Sequence, residues 1–230
     1  MTGRELQQAR RRSRRTQIQA ARDLGVSQTY LSMLEKGLRP LTEGLSETAV
    51  RAFSLSPTEL PLRNDLATTP PTTDDELATD LATLGYEGFL YLNPAKQKNP
   101  VEVLLLALKS NDRDARLVEA LPWLVLKFPD MDWDALVTAA KVNDLQNKLG
   151  YVVNIARRLS AVNNDKKVAV KLEQVESVLD RSLLFRETTL CNESMTNAEL
   201  KWIQSNRPDE ARKWRLFTYL SPEHIRYGPK

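Results

Sequence analysis

The chain has 230 residues, of which 41% are hydrophobic, with a formal net charge of +3 and one cysteine, Cys191. That length suits one or two domains with ordinary apolar cores. One cysteine excludes an internal disulfide, and apolar runs as short as Val103 to Leu108 and Leu121 to Leu126 exclude a bilayer-spanning helix. The polar, arginine-rich start has no apolar signal core, so a soluble cytoplasmic protein without a membrane partner is expected.

Charge is unevenly placed. Residues 1–41 hold nine Lys/Arg against three acids (Glu5, Asp23 and Glu35), a net of +6, whereas residues 64–230 carry a net of −2. A small, locally basic segment is the footprint of a phosphate-backbone binder, although a solvated basic face has the same composition.

In chain order, Arg4 to Arg12 reads as a first helix with Leu6 and Ala9 inward. Thr16-Gln17-Ile18-Gln19 is a capping box that starts a second helix, Gln17 to Leu24, with Ala20, Ala21 and Leu24 on one face. Gly25 suits the tight turn that follows, where a positive φ is expected. Ser27 caps a third helix running to Lys36, with Val26, Leu31 and Leu34 on its buried side and Gly37 ending it. Thr42 to Phe53 gives a fourth helix, and Ser56-Pro57-Thr58-Glu59 starts a fifth.

Two short helices around Gly25 form a helix-turn-helix pattern. The residues Leu6, Arg10, Thr16-Gln17, Ala20-Ala21, Leu24-Gly25-Val26-Ser27, Leu31 and Leu34-Glu35-Lys36-Gly37, in five-helix order, resemble the lambda-repressor-like, Cro/XRE family of DNA-binding domains. The resemblance covers about residues 3–62. It implies that the third helix enters the major groove of double-stranded operator DNA. Gln28, Thr29, Ser32 and Met33 then become the base readers: Gln can pair bidentately with adenine, and Thr29 and Met33 can meet thymine methyls. The resemblance puts Gln17 on a phosphate, with Ser27, Tyr30, Lys36 and Arg39 as further phosphate candidates. It also implies a partly buried salt bridge between Arg10 and Glu35. The chain departs from the family at Arg14 and Arg15, where members usually have Gly and then an apolar residue. These two arginines are expected at an exposed corner and are phosphate candidates themselves.

Residues 1–62 are therefore expected to be the DNA-binding domain, and residues 63–76, Thr/Asp-rich around Pro70-Pro71, a semi-extended linker. Asp74, Asp75 and Glu76 read as the capped first turn of the next helix. Residues 77–230 read as a larger all-helical domain of helical hairpins, making the fold all-α. Its expected helices are Glu76 to Leu84, Asn99 to Leu108, Asp112 to Leu126 with a kink or restart at Pro122, Asp132 to Ser160, Lys166 to Leu190, Thr196 to Ser205, Pro208 to Leu220 and Ser221 to Tyr227. Tyr86 to Leu92 alone permits a strand. Trp202, Trp214, Phe217 and Tyr219 are spaced as core aromatics.

Catalytic and cofactor motifs are missing from this half. Asp130-Met-Asp132-Trp-Asp134 opens like a calcium loop, but Ala135 and Lys141 stand where Gly and Glu are needed. Cys191 with His224 has no supporting local sequence, and no phosphate-loop or zinc spacing occurs. No catalytic residue, metal or cofactor is expected. The expectation is a transcriptional regulator of the repressor kind, acting as a homodimer because one helix-turn-helix makes few base contacts. Residues 77–230 would supply dimerisation or a protein partner, as in an autoregulating antitoxin that masks a toxin. The alternatives are a ligand-sensing regulator or a DNA-targeted helical enzyme, in which this half binds a small molecule or nucleotide.

Overall fold

The structure is a computed structural model and describes residues 1–63 and 65–226. Tyr227, where the last helix was expected to end, lies outside the described residues. The described chain is all-α apart from one two-residue strand pair, and it divides into two compact units. Unit 1 comprises Met1–Arg63 and Gln97–Asn99; unit 2 comprises Asn64–Lys96 and Pro100–Lys230.

Unit 1 contains α1 (Gly3–Arg12), α2 (Gln17–Asp23), α3 (Gln28–Glu35) and α4 (Glu43–Ala52). The expected fifth helix is a single 3-10 turn, Pro57–Glu59. A side-chain oxygen caps each α-helix start: Thr2, Thr16, Ser27 and Thr42 accept from the backbone N–H groups of Glu5, Gln19, Tyr30 and Leu45. The four helix ends share one device. Arg14, Gly25, Gly37 and Ser54 have φ between 52° and 73°, and the next residue donates back to the last turn. Examples are Arg15 N–H to the Arg10 carbonyl and Val26 N–H to that of Ala21. These caps hold the helices at angles that bury Leu6, Ala9, Ala20, Ala21, Leu24, Leu31 and Leu34 in one core. Asn99 Nδ2 closes the unit's end by donating to the carbonyls of Thr58 and Leu60, at 3.2 and 2.7 Å.

Unit 2 contains α5 (Asp74–Thr83), α6 (Pro100–Leu108), α7 (Ala115–Lys127), α8 (Trp133–Val142), α9 (Gln146–Val162), α10 (Lys166–Asp180), α11 (Asn197–Asn206) and α12 (Asp209–Lys213). Every residue of α6 is buried, as its nearly all-round apolar surface requires. α9 packs on α7 and, across the three residues Asn163 to Asp165, against α10 as a helical hairpin.

Several sequence expectations change here. Residues 63–76 are not simply extended: Leu66 is buried, and the Lys109 ammonium donates to the carbonyls of Leu66, Ala67 and Thr69 at 3.2, 2.7 and 2.6 Å. Three donors thus meet three acceptors and fix this loop. α5 begins at Asp74, with Thr73 and Glu76 as its capping box. Residues 86–92 form a 3-10 turn, Glu87–Phe89, rather than a strand. α7 runs unbroken through Pro122, losing one intrahelical hydrogen bond without restarting. The stretch from Asp132 to Ser160 is two helices, broken where Asp144 takes φ 56°. α10 stops at Asp180; beyond it, β1 (Thr188–Thr189) pairs in parallel with β2 (Leu216–Phe217). The latter strand replaces the second half of the helix expected from Pro208 to Leu220. Trp214 is fully buried, whereas Trp202 and Tyr219 are about half exposed and stack edge-on at 6.1 Å.

Trp214 explains the glycine at 150, in the middle of α9. A Cβ at Gly150 would collide with the Trp214 ring, so the glycine lets the indole lie against the α9 backbone. A rigid ring cannot yield as a flexible chain end can. Gly150→Ala should therefore destabilise unit 2 by about 1–3 kcal/mol or more, read as a lower denaturant midpoint at unchanged slope; an unchanged midpoint would show that the ring has room.

Candidate nucleic-acid interface

The geometry of unit 1 starts from a charge pair. Arg10 and Glu35 are 9% and 3% exposed. Arg10 Nε donates to Glu35 Oε1 at 2.5 Å and Nη2 to Oε2 at 3.1 Å, while Nη1 reaches the Arg15 carbonyl at 3.0 Å. The pair expected to be partly buried is thus buried and bidentate, and it ties α1 to α3 and to the corner leading into α2. Gln17 adds the third helix, donating from Nε2 to Glu35 Oε2 at 2.9 Å. Burial pushes the Glu35 carboxyl up, but hydrogen bonds from Arg10, Gln17 and Gln7 and the Arg10 charge outweigh it and hold the group below its ordinary 4.5.

Gln17 is therefore placed differently from the sequence expectation. Its side-chain amide donates to the buried carboxylate of Glu35. The α2 N-terminus itself is formed, with Thr16 and Gln19 in reciprocal hydrogen bonds.

The corner between α1 and α2 sits where the resemblance flagged a departure. Arg14 takes φ 53°, the left-handed conformation that glycine adopts most easily. Its side chain is exposed and makes no ion pair among the described residues. Arg15 is also exposed, with Nε 3.5 Å from Asp23 Oδ2, and Arg12 pairs with Glu59 at 3.1 Å. Arg11, which the sequence reading passed over, is a further exposed arginine on α1 without an ion pair among the described residues. Its only sequence signal was membership of the basic run.

The proposed reading face lies on α3. Gln28 and Thr29 are exposed, and Ser32 and Met33 are half-buried. Spacings of three and four residues bring 28, 29, 32 and 33 to one side of the helix, opposite Leu31 and Leu34. Ser27 Oγ is occupied by the Tyr30 N–H at 3.1 Å, and the Tyr30 ring is half-buried against the core. Lys36 and Arg39 are exposed beyond the helix end. The exposed Leu38 between them and Ile18 on α2 were not singled out from the sequence.

Residues 2–62 match a family model described as a helix-turn-helix domain. The N-terminal unit is a helix-turn-helix domain. A helix-turn-helix domain points to a DNA-binding regulator. The C-terminal region matches no family, and no curated protein or solved structure matches the chain.

In unit 2 each candidate chemical group has its own partners. Cys191 Sγ lies 3.8 Å from the carbonyls of Ala107 and Leu108, and burial raises its pKa, whereas His224 Nδ1 accepts from the Ser221 N–H. Asp130 pairs with Lys171 at 2.6 Å, and Asp132 caps α8. No three His, Cys, Asp or Glu side chains among the described residues converge as a metal site. No helix among them is long and apolar enough to cross a membrane.

Glu35→Ala leaves the Arg10 guanidinium buried without its partner, so it should cost about 3–5 kcal/mol. A Glu35→Ala melt matching the wild type would contradict this. Because the folded-state pKa of Glu35 is depressed, its contribution is complete above about pH 4.5 and is lost as pH falls through the lowered value. The stability gap between wild type and Glu35→Gln should accordingly shrink on acidification, in melts taken from neutral pH to about pH 3. Arg14→Gly relieves a left-handed arginine and should leave stability unchanged or raise it by up to about 1 kcal/mol.

Proposed function

We propose that the chain is a sequence-specific transcriptional repressor that binds operator DNA as a homodimer through α3 of unit 1. The observation that carries the reading is the exposed start of α3, with Gln28 and Thr29 open to solvent, on a unit that also exposes Arg14 and Arg15 at its α1–α2 corner. A helix whose other face is locked into a core can enter a major groove with its N-terminal residues toward base edges. Arg14, Arg15, Lys36 and Arg39 then supply phosphate contacts, and Gln17 contributes through the α2 N-terminus it begins.

One such unit covers a single half-site. Two copies on half-sites about 34 Å apart give the affinity that a regulator requires. Binding an operator in this way blocks a promoter without chemistry, so the reading assigns no catalysis to either unit and places the protein in the cytoplasm with its DNA. The antitoxin version adds only a protein partner on unit 2.

Base and phosphate contacts separate experimentally. Gln28→Ala should cost roughly 1–3 kcal/mol on the preferred site and relax the sequence preference there. Arg14→Ala should weaken all duplexes alike and reduce the salt slope of binding by about 1. Unchanged affinity and preference in Gln28→Ala would reject α3 as the reading helix.

A further inference from the structure

Unit 2 contains a cleft of about 280 Å³ between α7, the segment at Leu190–Met195, α11 and the chain from Phe217 to His224. Its floor is apolar, with Val118, Ile203 and Leu220 all buried. Tyr219 lines it and remains half exposed, with the Trp202 and His224 rings roughly perpendicular to its own at centroid distances of 6.1 and 5.4 Å. An aromatic ring held from two sides yet left open to solvent is a stacking surface rather than a core residue.

The charge inside the cleft is set by two groups. Arg113 lines it, but its guanidinium is spent elsewhere: Nη1 is 2.7 Å from Asp74 Oδ1, while Nε and Nη2 donate to the carbonyls of Ala107 and Leu106. Its side chain is only 2% exposed. Glu119 is the opposite case. It is half-buried in the same cleft and makes no ion pair or side-chain hydrogen bond among the described residues. A carboxylate losing solvent without a cationic partner is disfavoured unless something supplies the charge. His224 makes no ion pair with it among the described residues; its Nδ1 accepts from the Ser221 backbone N–H at 3.1 Å.

We propose that this cleft binds a small organic cation, its ammonium on Glu119 and its flat apolar body against Tyr219. Aromatic faces attract cations, and an apolar floor with one oriented carboxylate selects a positively charged amphiphile over a neutral or acidic one. The volume fits a one- or two-ring molecule. The site is independent of what α3 reads, and it gives unit 2 a binding function of its own.

The test is calorimetric titration of the full chain with tryptamine, its neutral isostere tryptophol and the acid indole-3-acetate. Tryptamine should bind, and the other two should bind at least about tenfold more weakly. Glu119→Gln, isosteric and partly exposed, should reduce tryptamine affinity by about tenfold while abolishing the preference over tryptophol. Tyr219→Ala should weaken all ring-bearing probes. A wild-type helical signal in each variant secures the comparison. Absence of tryptamine binding, equal binding of tryptophol, or full affinity in Glu119→Gln would overturn the proposal.

Discussion

The surface proposed to face DNA depends on one ion pair buried beneath it. Arg10 and Glu35 sit where α1, α2 and α3 converge, and Glu35 accepts from both Arg10 and Gln17. Three short helices have little apolar area with which to fix their mutual angles, and their core is built largely of alanine and leucine. A bidentate pair supplies directionality that such a core lacks. It carries a desolvation cost, so its value lies in orientation as much as in net stability. Because Glu35 is the last residue of α3 and the proposed readers are near its first, the pair anchors one end of α3 and leaves the other exposed.

The second unit is organised by packing instead. α6 is buried on all sides, and Trp214 lies against the α9 backbone where Gly150 has no side chain. The Tyr151 hydroxyl donates to the Leu220 carbonyl, fixing the chain that leads into the cleft. Lys109 fixes the loop at 65–69 through three carbonyls. These ties hold long irregular stretches in place with little regular secondary structure.

What the sequence made legible follows from how local each signal is. The capping box at Thr16 marks a helix start within four residues, and it is formed. Gly25 and Gly37 mark left-handed turns by composition alone. Arg14 in the same conformation could be suspected only from the family's usual glycine. The overlong α10 had a different cause. The apolar spacing from Val168 continues through Leu183, but α10 ends at Asp180 and the chain leaves to pair with β2. That pairing joins segments distant in sequence, and a periodic pattern carries no information about it. The Gln17 hydrogen bond was illegible for a similar reason: its partner, Glu35, lies 18 residues away, so the sequence offered only its place at a helix N-terminus.

The central claim, that α3 reads a specific operator as one half of a dimer, is most directly tested by selecting bound duplexes from a random-sequence pool with the full chain. The account predicts enrichment of a palindromic motif with half-site centres about 34 Å apart, one turn of DNA. Recovery of duplexes without a common motif, or of none at all, would contradict it.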